Sequence, residues 1–510
     1  MRGVLVAAST SAGGGRPPGA RETGYEPDPH RWRALWVTLV AGFMSLLDVT
    51  IVAVALPTIQ RDLHASPAQV QWVVSGYALS FALALVTAGR LGDALGRRRI
   101  FLLALSGFVA FSAACGAAPD ITLLVVARLA QGLAAGFMAP QNSALIQQLF
   151  RGAERGRAFG FFGATVGISS ATGPILGGAI LALASGPQGW RWIFYVNVPL
   201  GVLAVLLGRR LLPRTRRTGR ADVDLPGVLL LGAGVLGVMY PLVQADSGGI
   251  GRLWWLFLAG VAILAVFVRR QRRLVARNAQ PLLDPRLFTT VRGYAAGAGV
   301  GTLYFVGFSG VWLVFALFYQ HGLGFSPLLS GLAVTPFALG SASAAVVAGR
   351  LVDRFGRLLT VCGLLGVITG LGTTALLLRF APVDIAPWVA APALLLGGIG
   401  SGFVVSPNIT MTLRDVPVRM AGAAGGALQT GQRLGAAVGT AALPGLFYLV
   451  LGGSGDYRGA LVTALGAALA GMAASLALAL SDWRRDRRTH RPHPKCPDEV
   501  AHSPVHARHT

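Results

Sequence analysis

Apolar runs of about seventeen to twenty-five residues recur along nearly the whole chain, separated by short polar segments. Each is long enough to cross a hydrocarbon core of about 30 Å as an α-helix. Their edges predict fourteen spans, at 34–56, 70–89, 100–118, 121–146, 158–184, 192–208, 225–244, 253–268, 293–318, 328–349, 358–378, 385–412, 420–450 and 459–480. The chain therefore reads as an all-α integral membrane protein. An alternative keeps twelve spans and lays 225–244 and 253–268 on the membrane surface. A surface helix needs a polar face, and neither run has one.

The pattern also repeats. "SPAQVQWVVSGYALSFALALVTAGRLGDALGR" (66–97) aligns without a gap, at an offset of 260, with "SPLLSGLAVTPFALGSASAAVVAGRLVDRFGR" (326–357), and 15 of the 32 positions are identical. "GFMAPQN" (136–142) is answered by "GFVVSPN" (402–408). An internal duplication is a common construction of secondary transporters. It divides the chain into six-helix halves at 34–208 and 293–480, a central linker at 209–292 with two extra helices, and disordered tails at 1–33 and 481–510.

Composition agrees with the pattern: 54% of residues are hydrophobic and only 13% charged, where a soluble chain carries about a quarter. The net charge of +24 would suggest nucleic acid in a soluble protein. Here its placement explains it. Of the 44 Lys and Arg, only Arg61, Arg191, Arg252, Arg379 and Arg458 fall in the loops opposite the termini, and Arg128 and Arg433 fall within spans. The rest lie in the tails and the loops on their side. This is the positive-inside distribution, which places both termini in the cytoplasm and leaves no reason to invoke nucleic acid. Arg433 has two readings, facing the cavity or snorkelling to the cytoplasmic surface, of which the second is favoured. Cys115 and Cys362 lie in spans and Cys496 in the tail, so no disulfide framework is suggested. The opening "MRGVLVAASTSAGGG" has an apolar core too short for a signal peptide. Five of the eight histidines fall in the last 21 residues, beside Cys496. A solvated tail accounts for them better than a metal site, and neither metal nor cofactor is expected.

One carboxylate breaks the apolar pattern. Asp48 lies about fourteen residues into the first span, where a charge costs roughly 2.5–3.5 kcal/mol on insertion scales. Such a residue faces protein or a water-filled path rather than lipid. Burial favours its neutral form and a nearby cation its charged form, and a group poised between them can bind and release a proton. Arg128 is the other buried charge of the first six spans, and Gln131 follows it one turn on. Two readings stand: a proton-coupling pair, or a structural pair that locks helix packing. The repeat does not duplicate the pair, for Phe308 stands where Asp48 would and "ALLLGG" (393–398) where Arg128 would.

Several segments resemble those of a known family. "GRLGDALGRRR" (89–99) resembles the loop signature between the second and third helices of the major facilitator superfamily. "LDVTIVAVALP" (47–57), "ARLAQGLAAG" (127–136) and "GISSATGPILGG" (167–178) resemble the first-, fourth- and fifth-helix motifs of its drug:proton antiporters. "GWRWIFYVNVPLG" (189–201) and the extra central pair are similar to its fourteen-helix branch. The resemblance covers roughly residues 34 to 480, with all five motifs in order.

It implies the major facilitator fold, two six-helix halves that alternate access, and export driven by the proton gradient. It ties Asp48 and Arg128 to proton coupling. It makes Gly89, Asp93, Gly96 and Arg97 a gating loop that latches the cytoplasmic side, with a weaker second copy in Gly349, Asp353, Gly356 and Arg357. It makes Gly173, Pro174, Gly177 and Gly178 the hinge and seal of an exporter. Each motif also has a plain reading. Gly96 permits a tight turn and Gly89 a close helix approach. Asp93 can accept from Arg97 or from a neighbouring helix N-terminus. Pro174 removes a backbone donor and bends its helix, while the bare glycine surface would pack on a helix of the other half. A short basic loop and ordinary small-residue packing would use the same residues.

The substrate side is less specified. No span of the second half contains an acidic residue, which leans towards neutral or monocationic lipophilic compounds. Trp72, Tyr77, Gln131, Asn142, Trp312, Tyr319 and Gln320 are the candidates to line the path. The expectation is a monomer in the bacterial cytoplasmic membrane that exchanges protons for small lipophilic compounds, antibiotics or related metabolites among them. An uptake symporter is disfavoured by "GPILGG", and a non-transporting receptor or scaffold by the buried charges and duplicated loops. An enzyme would need convergent acids, His or Cys at membrane depth, and no ATP-binding G-x-x-x-x-G-K-[ST] segment occurs.

Overall fold

The computed structural model describes residues 28–184, 186–213, 224–243, 249–277, 279 and 281–489. The histidine-rich tail and most of the N-terminal tail lie outside them. Fourteen principal helices follow one another: α1 (Arg31–Asp62), α2 (Pro67–Leu95), α3 (Arg97–Ala117), α4 (Ile121–Leu149), α5 (Gly152–Leu183), α6 (Gln188–Leu211), α7 (Leu225–Val243), α8 (Trp254–Ala276), α9 (Tyr294–Gly322), α10 (Pro327–Phe355), α11 (Arg357–Phe380), α12 (Ala386–Thr412), α13 (Ala421–Ser454) and α14 (Tyr457–Thr489). No strand occurs among the described residues.

Twelve of these are long and apolar enough to cross a membrane; α5 and α7 are the two outside that number, α7 because its apolar stretch, Leu225–Pro241, is shorter. Length and composition thus support twelve spans, where the run pattern predicts fourteen. Apolar side chains such as Leu103, Leu183, Leu339, Phe380, Trp388 and Leu449 stand exposed on the outer faces, as a lipid-facing surface requires.

The repeat is one helix with its start and stop. Ser66 accepts from Gln69 N and Ser326 from Leu329 N, both at 3.3 Å, and Pro67 and Pro327 follow at the first helical position, where a missing N–H costs nothing. Both helices end at a glycine with positive φ, Gly96 at 101° and Gly356 at 54°. The next helix starts at the following arginine.

The start of α1 and the end of α14 lie at one end of the bundle, which we call the terminal end. There Arg31 at the start of α1 donates to Glu154 at the start of α5, Arg155 reaches the Arg414 carbonyl after α12, and Arg292 pairs with Asp486 near the end of α14. At the other end Trp190 donates to Asp62, and Arg379 and Arg458 tie 379–381 to Asp456. The halves meet along two seams, α2 with α13 and α5 with α10. The central pair packs on the first: Leu79, Ala82 and Val86 of α2 are buried with Leu231, Val235 and Met239 of α7 and Phe267 of α8. The second face of α8 exposes Trp254, Trp255, Leu258, Val261 and Val266, so it lacks the polar side of a surface helix. A polar knot fixes the linker: Asp224 accepts from Arg270 and Gln271 at 2.8 Å, and Gln271 Oε1 accepts from Leu282 N at 2.8 Å.

Candidate functional site

Asp48 on α1 faces Arg128 on α4. Arg128 Nη1 donates to Asp48 Oδ2 and, at 2.8 Å, to Gln131 Oε1, while Gln131 Nε2 donates back to Asp48 Oδ1 at 3.0 Å. Gln131 can join because three residues along a helix return to the same face. Arg128 Nε donates to the Val73 carbonyl of α2 at 2.9 Å. The guanidinium lies 4.3 Å from the centre of the Tyr77 ring and 5.8 Å from that of Phe194. Tyr77 in turn donates its hydroxyl to the Ser45 carbonyl at 3.1 Å. Asp48, Arg128 and Gln131 are all fully shielded from solvent.

Two members of the site escaped the sequence reading. Asn197 Nδ2 lies 3.4 Å from Asp48 Oδ1 and 3.1 Å from Ser112 Oγ, which donates to the Phe194 carbonyl at 2.9 Å. The available signal was a lone amide in the apolar "YVNVPLG" of α6. Cys115 Sγ sits 3.5 Å from Gln131 Oε1.

A buried ion pair holds together only if its remaining donors and acceptors are met. Here most of them are. With Asp48 ionised, Arg128 and Gln131 both donate to it. With Asp48 neutral, Arg128 keeps the Val73 carbonyl, Gln131 Oε1 and two aromatic faces. One donor, Arg128 Nη2, has no partner even in the paired state.

At the terminal end, Asp93 joins the halves. Its Oδ1 accepts from Gly422 N at 3.2 Å and its Oδ2 from Ala423 N at 3.1 Å, so the carboxylate caps the N-terminus of α13. Arg97 donates to Asp93 at 2.9 Å, to the Ala144 carbonyl at 3.1 Å and to the Val418 carbonyl. Gly89 touches Gly422 so closely that a Cβ would overlap its carbonyl. The second copy keeps only part of this. Gly349 packs backbone to backbone on Gly156 and Gly160 of α5. Asp353, however, is exposed and makes no hydrogen bond or ion pair among the described residues, and the N-terminus of α5 has no side-chain cap. Arg357 turns to Asp482 of α14 instead.

Of the motif's glycines, Gly167 packs on the other half as expected, and the later ones do not. Gly173 and Gly177 pack on Thr50 and Ile51 of α1, within the same half. The glycines that meet the other half come earlier in α5: Gly156 and Gly160 against Gly349 and Ala345, Gly163 against Ala345 and Ser406, and Gly167 against Ala342. Gly178 meets nothing within contact distance, and the Pro174 side chain is outside the described set.

The candidate lining residues do not converge. Tyr77 and Gln131 belong to the Asp48 site. Trp72 packs 5.8 Å from Tyr240 of α7, on the outer side of α2. Asn142 is buried on α4 with its Oδ1 unpartnered. Trp312 belongs to an aromatic row with Phe308 at 5.4 Å and Phe337 at 4.8 Å, and Tyr304 stacks on Phe308 at 5.1 Å. Tyr319 is stacked on Phe325 at 5.8 Å in the core of the second half, and the half-buried Gln320 follows it in a π turn. Arg433 does not snorkel: its guanidinium lies 4.4 Å from the centre of the Phe81 ring on α2, because an aromatic face at the seam replaces part of the lost hydration.

Comparison with known proteins bears on this architecture. The family model of the Major Facilitator Superfamily matches residues 38–440 and 297–504. The probable actinorhodin transporter of Streptomyces coelicolor is 37% identical over 85% of this chain and 76% of its own length. A puromycin resistance protein of Streptomyces alboniger is 40% identical over 82% of each chain. The tetracenomycin C resistance and export protein of Streptomyces glaucescens is 34% identical over 81% of this chain and 75% of its own. Among solved structures, the human organic anion transporter MFSD10 superposes with a TM-score of 0.64, covering 89% of this chain and all of that one, at 16% identity; that likeness concerns the fold.

Proposed function

The chain belongs to the Major Facilitator Superfamily, and we propose that it is a proton-coupled antiporter that exports small lipophilic compounds. It is a multi-pass membrane transporter and not an enzyme. The relatives named for antibiotic resistance and export support the outward direction. In this reading α5 and α7 also span, giving fourteen crossings, and the arginine-rich terminal end is cytoplasmic. The protein acts as a monomer in the bacterial cytoplasmic membrane, with the proton gradient as its energy source.

The observation that carries the proposal is the sealed Asp48–Arg128–Gln131 cluster, a carboxyl at membrane depth paired with a cation from another helix. The seam contacts through Asp93, Gly89 and Gly156 lie at the terminal end, and in this reading they close the cytoplasmic side. Protonation of Asp48 from outside removes one charge of the pair. Breaking a buried pair is worth about 3–5 kcal/mol, a large part of the roughly 5.5 kcal/mol that inverts a two-state population. The neutralised site then favours release of the Asp93 cap from α13 and opening inward. Substrate binds from the cytoplasm, the proton leaves, and Arg128 recaptures Asp48.

The test is efflux of puromycin and a lipophilic dye panel from cells expressing the wild type or Asp48→Asn, with and without a protonophore. Wild-type efflux that is abolished by protonophore and by Asp48→Asn, at equal membrane abundance, supports the reading. Undiminished efflux by Asp48→Asn assigns the pair a structural role and removes it from coupling.

A further inference from the structure

Arg433 is a charged side chain within the span Ala421–Ser454 for which the proton-coupling site has no use. It projects from α13 of the second half onto Phe81 of α2 in the first, 4.4 Å from the ring centre. Phe81 lies one turn from Tyr77, their rings 6.2 Å apart, and Tyr77 carries Arg128 on its own face at 4.3 Å. Two arginines from opposite halves therefore sit on consecutive aromatic rings of one helix.

Their partners differ. Arg128 has Asp48. Arg433 makes no hydrogen bond or ion pair among the described residues and is half-buried rather than sealed. The acidic residues of its own half, among them Asp353, Asp384, Asp482 and Asp486, stand at or near helix ends, and none is paired with it. Asp48 is engaged by Arg128, and Asp93 by Arg97 and the α13 N-terminus. A guanidinium at membrane depth is held at a cost that an aromatic face offsets only in part. Its five donors in a planar fork match a carboxylate.

We propose that Arg433 is the substrate-recognition cation, and that the exported compounds carry an anionic group, a carboxylate or an acidic phenol, on a flat apolar body. Half-buried Phe308 and Trp312, backed by the sealed rings of Tyr304 and Phe337, supply faces for that body. It rises from α9, whose Thr302 and Val306 pack on Gly435 and Gly439 of α13, just beyond Arg433. This reverses the lean towards neutral or cationic substrates that acidic-residue counting gives. It also fits the energetics of antiport. One anion leaving for one proton entering moves two charges down an inside-negative membrane potential.

The inference rests on the exporter reading, so its test is binding rather than transport. Wild type, Arg433→Gln and Arg433→Lys are purified into lipid nanodiscs. Binding of 4-(1-pyrenyl)butyrate and of its uncharged amide is measured by tryptophan-to-pyrene energy transfer. The expected result is at least tenfold tighter binding of the carboxylate than of the amide to wild type. That preference should be lost in Arg433→Gln, with amide affinity unchanged, and partly kept in Arg433→Lys. Equal binding of the two probes by wild type, binding of neither, or a preference that survives in Arg433→Gln overturns the proposal. If Arg433→Gln does not fold, the wild-type and Arg433→Lys preferences decide it. A charge preference without protonophore-sensitive efflux would refute the exporter reading and leave the anion site standing.

Discussion

Asp48 and Phe308 stand 260 residues apart, the offset of the internal repeat, and so do Tyr77 and Phe337. In the first half those places hold a carboxylate and a phenol around Arg128. In the second they hold two phenyl rings, 5.7 Å apart, in a row with Tyr304 and Trp312. The same helical scaffold is thus filled once with a sealed polar network and once with aromatic faces. The gate loops diverge in the same sense. Asp93 caps a helix of the opposite half, whereas Asp353 is exposed and its arginine has turned to α14. Duplication conserved the backbone devices, the Ser-Pro starts and positive-φ glycine stops, and let the chemistry separate. In our account the first half handles the proton and the second the substrate.

The comparison can be broken most forcefully at the charge pair. Arg128→Ala leaves an unpaired buried carboxylate and should lower stability by about 3–5 kcal/mol. Asp48→Asn keeps a hydrogen-bonding side chain and should cost clearly less. Thermal unfolding of the two variants in detergent checks the order, and equal losses would mean that the pair is not held as described.

The gate loops give the next largest contrast. Asp93→Asn should reduce efflux at least tenfold, because it weakens two charge-assisted bonds to α13 that are each worth about 1.5–3 kcal/mol. Asp353→Asn should stay within about twofold of wild type, since an exposed group without hydrogen bonds contributes little. Similar losses in both would restore a symmetric latch.

Phe308→Ala sharpens the aromatic side. It should change which compounds are exported, weakening binding of flat substrates by about 0.5–1.5 kcal/mol, while protonophore sensitivity persists. A substrate profile identical to wild type would remove the aromatic row from recognition.

The smallest effect lies at the periphery. Hydrogen bonds from Arg31 hold the Glu154 carboxyl below its ordinary range. A depressed folded value means that this contribution is present above the unfolded value of about 4.3 and is lost as pH falls through the folded one. Melting curves between pH 3 and 6 should show a slightly shallower acid loss for Glu154→Gln than for wild type. The partly exposed pair limits the difference to a few tenths of a kcal/mol.

Much of this was legible in the sequence, and for definite reasons. Apolar run length marks helices, and the Ser-Pro and Gly-Arg punctuation marks their ends, so helix order and the repeat could be read without coordinates. Asp48 and Arg128 stood out because charges are rare in spans, while their direct contact is a matter of three-dimensional placement. What failed depended on helix rotation. Gly173 and Gly177 face α1, Trp72 faces the central pair and Arg433 faces Phe81. Spacing within one helix does not say which neighbour its face meets. Asn197 was missed because one amide in an apolar run gives a weaker signal than a charge.

The most direct test of the central claim is drug-driven proton flux in proteoliposomes, read with an entrapped pH-sensitive dye after addition of a compound that the wild type exports. The account predicts a proton flux that depends on the compound in the wild type, and none in Asp48→Asn even though the variant still binds the compound. Proton flux of wild-type size through Asp48→Asn would contradict it.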